Sequence, residues 1–199
     1  MNKCLNLASE CFFNFLKDIK HKEESQEISR YFCFWFYGLL SVKRWNNWNL
    51  PYKESDFEHV LNGLNFFYDM RFFFKDEVFR MVVEKWIHHD DVEIIAGDTV
   101  MCSYYGNENL EKEKFQNEFN AICEIKRIFP INCSHRLENI FLDYENLNSE
   151  IDVIVKIIDK IDAMSTMLMF PNSSFLEKSR DKIFDDSINE YLFILPIDV

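Results

Sequence analysis

Chemistry-bearing side chains concentrate in one stretch of this sequence, Trp86-Ile87-His88-His89-Asp90-Asp91-Val92-Glu93-Ile94-Ile95-Ala96-Gly97-Asp98, where two imidazoles and four carboxylates interrupt an apolar pattern. Burying such groups without partners is costly, so the stretch is either solvated or built to bind something. On a helix, Glu93 lies four residues after His89 and three after Asp90. One imidazole and two carboxylates then face a common point, while His88 projects about 100° away. Nitrogen and oxygen donors together suit Mn, Fe, Co, Ni or Zn better than Ca or Mg, which favour all-oxygen shells. The competing reading of the string by itself is a solvated acidic helix end. Two other places bear on the choice. His59 sits beside Glu58 in an amphipathic stretch, where the plain expectation is a half-buried histidine with a local hydrogen bond. Asp159 and Asp162 interrupt an otherwise apolar stripe that includes Ile151, Ile154, Val155 and Ile158. A buried acid in such a stripe calls for a cation, and Lys and Arg are scarce.

The elements that must position these groups read as helices. The chain has 199 residues, which suits one domain spanning 1–199 with a substantial core. Apolar residues make up 48%, with 21 Phe, while only 4 Gly and 4 Pro occur, so disorder and turn-rich β architectures are both disfavoured. Phe57, Val60, Leu61, Leu64, Phe67 and Tyr68 recur at helical spacing and predict a helix over Asp56 to Phe74. Val78, Phe79, Val82, Val83, Trp86 and Ile87 predict another from Asp76 to Ala96, stopped by Gly97. Further helices are expected at Glu111 to Ile128, Ser134 to Tyr144, Glu150 to Phe170 and Ser174 to Phe193. The aromatic run from Ser29 to Leu40 suits a helix buried on most of its circumference, with His21 to Glu27 as a solvated connection before it. Lys43 to Ser55 is irregular, which puts Arg44 and Trp45 where a helix ends and a loop begins. No convincing strand alternation is present, and the expected fold is an all-α bundle.

Charge narrows the partners. There are 22 Lys+Arg against 34 Asp+Glu, a net charge of −12, which disfavours nucleic acid polymers and anionic membranes. Small phosphorylated ligands stay open, because a metal ion or one arginine reverses the potential locally. Six Cys without a CxxC pair read as reduced, mostly buried thiols, which with the lack of any membrane-length apolar run suggests a cytoplasmic protein.

His59, then His89-Asp90, then Asp159, in that order on separate helices, resembles the His…His-Asp…Asp signature of the HD-domain phosphohydrolases. The wider pattern adds Arg44-Trp45, Glu54-Ser55 leading to Glu58-His59, Glu93, Gly97-Asp98 and Lys156 before Asp159, and it is similar to the bacterial 5′-deoxynucleotidases of the YfbR type. The resemblance implies that His59, His89, Asp90 and Asp159 hold one divalent transition metal, with Asp162 as the fallback for Asp159. It implies Glu93 as the residue that orients or deprotonates a water, and Asp98 as one that protonates the leaving 5′-oxygen or contacts the sugar. Arg44 is implied as the phosphate-binding group, and Trp45 as an aromatic packing on the nucleoside, against the alternative of plain core packing. A homodimer or higher homo-oligomer is implied as well, and Phe12, Phe13, Phe66, Phe67 and Phe72 to Phe74 are expected to serve core and subunit interface.

Departures from the pattern stand at Thr99 to Tyr104, where a Pro-containing stretch and a Lys are usual, at Phe57 in place of a small residue, and at Asp56 in place of an apolar one. Phe57 is expected to narrow the pocket. The expected function is removal of phosphate from deoxyribonucleoside 5′-monophosphates. A dNTP triphosphohydrolase on the same site is the first alternative, and a catalytically silent binding module the second. No Lys or Arg occurs between Asp98 and Lys112, and a triphosphate needs more than Arg44 to offset its charge, which favours monophosphates.

Overall fold

The computed structural model describes residues 22–45, 50–100, 103–104, 106–129 and 131–169. The expected helix at Ser174 to Phe193, along with Phe12 and Phe13, lies outside them. The helices are α1 (Lys22–Ser41), α2 (Asp56–Asp69), α3 (Asp76–His88), the single turn α4 (Glu93–Ala96), α5 (Glu108–Ile128), α6 (Ile131–Asn146) and α7 (Glu150–Met169). Among the described residues the one extended pairing is an isolated antiparallel bridge between Lys43 and Ser55, so the architecture is all-α as the composition indicated. No helix of the described residues is long and apolar enough to cross a membrane. The chain forms two compact units, Met1–Tyr37 and Gly38–Val199, and the site described below belongs entirely to the second.

Four expectations need correction. Lys22 to Glu27 is helical rather than a connection, since α1 starts at Lys22. That helix is not buried on most sides, because Phe32 and Tyr37 are about 60% exposed (59% and 62%). The helix from Asp56 stops at Asp69, and Arg71–Phe73 forms a tighter 3₁₀ turn in which Phe72 and Phe73 are exposed. The most consequential change is the break of the helix beginning at Asp76 after His88. There His88 Nδ1 lies 2.7 Å from Asp91 Oδ2, and the Glu93 N–H donates to the Asp90 carbonyl at 2.9 Å, a three-residue bond that tightens the chain into a turn. Gly97 ends α4 as expected, with φ +78° and ψ 153°, backbone that only glycine adopts readily, and its N–H donates to the Glu93 carbonyl.

Local rules start α2 and seat it on α3. Ser55 caps α2 with a reciprocal capping box: its hydroxyl accepts from the Glu58 N–H, while its own N–H donates to Glu58 Oε2 at 2.8 Å. Glu58 also accepts from the Tyr52 hydroxyl, and the bonds from Ser55 and Tyr52 hold its carboxyl down at about 2. Trp86 of α3 packs against α2 at Gly63, where a Cβ would sit 1.9 Å from the indole. The indole N–H donates to the Val60 carbonyl at 2.8 Å. That close approach presents His59 and His89 to each other. α7 packs on α2, α3 and α6, and the buried Asp152 ties it to α3 through Lys85.

Candidate metal centre

The chain from Val42 to Trp45 is pinned beside the start of α2. The Arg44 N–H donates to the Glu54 carbonyl at 2.9 Å, and the Asp56 N–H to the Val42 carbonyl at 3.3 Å. This delivers the Arg44 side chain to the end of α3, where Nη1 donates to Asp90 Oδ2 at 3.1 Å and Nη2 lies 3.5 Å from Asp159 Oδ1. Burial pushes the guanidinium pKa down, but Asp90, Asp159, Glu93 and Asp98 outweigh it and raise it above its ordinary value. Trp45, buried at 6% exposure, adopts φ 62°, a left-handed conformation that costs a bulky residue of order 1–3 kcal/mol. Its N–H donates to Asp98 Oδ2 at 3.0 Å, so Asp98 holds Trp45 in that strained conformation.

His59 and His89 are fully buried, not half-buried, and their Nε2 atoms face each other at 3.2 Å. Each ring is oriented from behind. His59 Nδ1 is 2.7 Å from the carboxylate of Asp162, and His89 Nδ1 is 2.7 Å from the Trp86 carbonyl. Both of these partners accept, which assigns a proton to each Nδ1, so with both rings neutral the two Nε2 lone pairs would face each other. Asp90 Oδ2 lies 3.5 Å from His59 Nε2 and 3.2 Å from His89 Nε2, and Asp159 Oδ1 lies 3.4 Å from His59 Nε2. Lone pairs and carboxylates so placed repel unless a cation sits among them. A metal about 2.1 Å from tetrahedral donors separates those donors by about 3.4 Å, close to the spacing here. Without one, a proton takes its place: burial and Arg44 push His59 down, but hydrogen bonds to Asp159 and Asp162 and the charge of Asp90 prevail and hold it at about 9. The residues therefore fit a divalent metal, with Asp162 aligning the His59 ring from its far nitrogen.

The expectation that His89, Asp90 and Glu93 share one point does not survive the turn after His88. Two adjoining groups form instead: His59 and His89 with Asp90, and Asp56 and Glu93 with Asp90. Burial, reinforced by Asp90, Asp56 and Asp98, raises the Glu93 carboxyl well above the usual range, and burial likewise raises Asp98 against the pull of Arg44.

These groups adjoin a cavity of about 780 Å³, a volume that includes open solvent. Arg44, Trp45, His89, Asp90, Glu93, Asp98 and Asp159 line it, whereas Phe57, expected to narrow the pocket, does not. Its other end is built by residues to which linear reasoning gave no place in the site, Lys156 having been noted only for its position before Asp159. Lys114 and Glu118 of α5 pair at 2.5 Å, and Lys156 of α7 pairs with Glu145 of α6 at 3.2 Å and lies over the Tyr144 ring. Lys160 reaches Asp159 Oδ2 at 2.9 Å. The signal available was charge inside helices that otherwise face the core, as with Glu118 and Glu145, but nothing local says that they meet.

The family model for the HD domain matches residues 38–185, and the chain belongs to the HD-domain family. The fold is similar to that of a predicted metal-dependent phosphohydrolase from Magnetospirillum magnetotacticum MS-1. The TM-score is 0.53 and the identity 19%, over 67% of this chain and 67% of that one. No curated protein matches the sequence.

Proposed function

We propose that this protein is a divalent-metal-dependent phosphohydrolase acting on deoxyribonucleoside 5′-monophosphates. The observation that carries the metal dependence is the facing pair of Nε2 atoms of His59 and His89, 3.2 Å apart among the carboxylates of Asp90 and Asp159, with Arg44 beside them. The structural neighbour, itself described as a predicted metal-dependent phosphohydrolase, supports the same class. His59, His89, Asp90 and Asp159 hold the metal in this reading. When bound, it supplies Lewis-acid polarisation of a phosphoryl oxygen and a water of lowered pKa. Arg44 presents a planar, permanently charged fork to the phosphate. Glu93 orients the attacking water and takes its proton, and Asp98 both holds Trp45 and faces the leaving sugar oxygen. Trp45 offers an aromatic wall to the nucleoside.

The choice of monophosphate rests on charge. Arg44, Lys114, Lys156 and Lys160 bring four positive charges to the cavity. Asp90, Glu93, Asp98, Glu118, Glu145 and Asp159 bring six carboxylates. Each of the three lysines is already paired with an acid, so little positive charge is left to meet a triphosphate chain. The test is release of phosphate and triphosphate from 5′-dNMPs, 5′-NMPs and dNTPs by metal-stripped protein supplied with Mn, Co, Zn, Ni or Mg in turn. Phosphate release preferring dNMPs is expected. Triphosphate release from dNTPs keeps the metal site and replaces the substrate, and inactivity with every metal favours a binding module.

A further inference from the structure

We propose that Glu118 reads the nucleobase: the carboxylate oxygen that Lys114 leaves over accepts a hydrogen bond from an N–H on the edge of the base, so that the cavity tells a nucleotide from a bare sugar phosphate. The inference rests on the nucleotide reading above and gives a role to the lysine end of the cavity.

Glu118 lies on α5, lines the cavity and is 4% exposed. Lys114 takes its Oε1 at 2.5 Å, while its Oε2 is buried with no hydrogen-bond partner among the described residues. Of the carboxylates that line the cavity, Glu93 and Glu118 each keep such an oxygen. Glu93 has its use at the metal end as the acceptor of a proton from water. Glu118 has none there, and buried acceptors are nearly always satisfied, so the donor it lacks is one that a ligand brings.

The neighbouring acid shows the same surroundings in a completed form. Glu145 meets Lys156 at 3.2 Å and keeps no buried oxygen without a partner. Burial pushes its carboxyl up, but Lys156 and Lys114 prevail and hold it below its ordinary value. For Glu118 burial prevails over the pull of Lys114, and the carboxyl stays raised. Two acids thus line one cavity, and one of them is still short of a donor.

The chemistry of the ligand selects that donor. Arg44 and the metal ligands take the phosphate, and Asp98 faces the sugar oxygen, which leaves the base to reach the lysine end. Tyr144 joins the two ends, with its hydroxyl 3.4 Å from Asp159 Oδ2 and its ring 3.9 Å from Lys156 Nζ. Each common base carries an N–H beside an acceptor on its pairing edge. Glu118 Oε2 accepts from the N–H, and Lys114, an ammonium with three donors, has N–H groups beyond the one spent on Oε1 for the acceptor beside it. A ligand without the N–H leaves the carboxylate dry and unpaired, which is how a buried polar group rejects it.

The experiment compares phosphate release by Mn²⁺-loaded full-length protein from thymidine 5′-monophosphate, from its N3-methyl derivative, which lacks the donor, and from 2-deoxyribose 5-phosphate, which lacks the base. In the native protein kcat/KM is expected to fall about 10- to 100-fold for each analogue, mainly through KM. In Glu118→Gln Lys114 holds the amide oxygen and turns the NH₂ towards the base. Thymidine 5′-monophosphate and its N3-methyl derivative are then expected to come within about threefold of each other, as one lost hydrogen bond requires. Native protein that treats all three compounds alike overturns the inference whatever the variant does, and keeps the phosphohydrolase. Discrimination that persists undiminished in Glu118→Gln is steric and also overturns it. No phosphate from any nucleotide removes the nucleotide reading and this inference with it.

Discussion

At one end of the cavity Lys114 answers Glu118, and Lys156 answers Glu145; at the other, His59 and His89 face each other, and Asp56 and Glu93 keep oxygens that nothing answers. Both ends bury charge, and the difference is where the opposite charge comes from. In the lysine end it comes from neighbouring helices of the same chain, so folding alone completes most of it. In the imidazole end the two rings are locked from behind, one by Asp162 and the other by the Trp86 carbonyl, and their Nε2 atoms converge on a point where none of the described residues puts a cation. A protein that orients groups which repel one another has made room for a ligand that reverses the repulsion.

The largest expected effect breaks the imidazole end outright. Asp90→Ala should abolish metal binding and lower phosphate release by about 10³-fold or more, which is about 4 kcal/mol of barrier, with helical content kept. Retention of a tenth of the activity would remove Asp90 from the metal centre. At the lysine end the expectation is a loss of stability rather than chemistry. Lys114→Met alone leaves Glu118 buried and unpaired and should cost about 3 kcal/mol in urea unfolding, whereas Lys114→Met with Glu118→Leu should return to within about 1 kcal/mol of the native chain. A double variant as unstable as the single one would mean that this end is not self-sufficient.

A gentler change sharpens the contrast. Asp162→Asn keeps the shape behind His59 and weakens its alignment, so the metal Kd should rise about 10- to 100-fold, with turnover at saturating metal much less affected. An unchanged Kd would assign Asp162 to packing alone. The smallest effect is in pH. His59 is held at about 9 in the metal-free fold against about 6.5 unfolded, so its contribution is full below pH 6.5 and lost as pH rises through about 9. Asp56, raised to about 8 mainly by burial and then by Asp90, has the same sign. His89, lowered by burial, acts oppositely, but only as pH falls below its unfolded value. Metal-stripped protein should therefore lose a few degrees of Tm between pH 6.5 and 9. Metal-loaded protein should stay flat, and an equal slope in both would mean that no cation replaces the proton.

Much of the imidazole end was legible because its groups carry their chemistry in their types. His89, Asp90 and Asp159 stand out as polar residues that interrupt an apolar pattern, whereas His59 by itself read as a half-buried histidine and joined them only through the resemblance to the HD-domain signature; Arg44 and Trp45 stand out at a helix end. The capping pattern Ser55-x-x-Glu58 and the stop at Gly97 were legible too, since both act within a few residues. The break after His88 was not. Its cause is a local competition in which the His88–Asp91 pair and the Glu93-to-Asp90 bond win over continuation of the helix, and apolar spacing records no such contest. Nor was the place of Lys114, Lys156 and Lys160 legible, because counting cations along the chain near Asp98 says nothing about which distant helices complete a cavity.

The sequence by itself determined that this chain is helical, which faces are apolar, and that imidazoles and carboxylates interrupt those faces, because periodicity, capping and side-chain chemistry are local properties. Only the tertiary structure decided that Glu93 joins Asp56 rather than His89, that Asp159 reaches His59 Nε2 while Asp162 takes Nδ1, and that the lysines arrive already paired. Those outcomes depend on how helices dock, and docking is set by contacts such as Trp86 against Gly63 that no single segment contains.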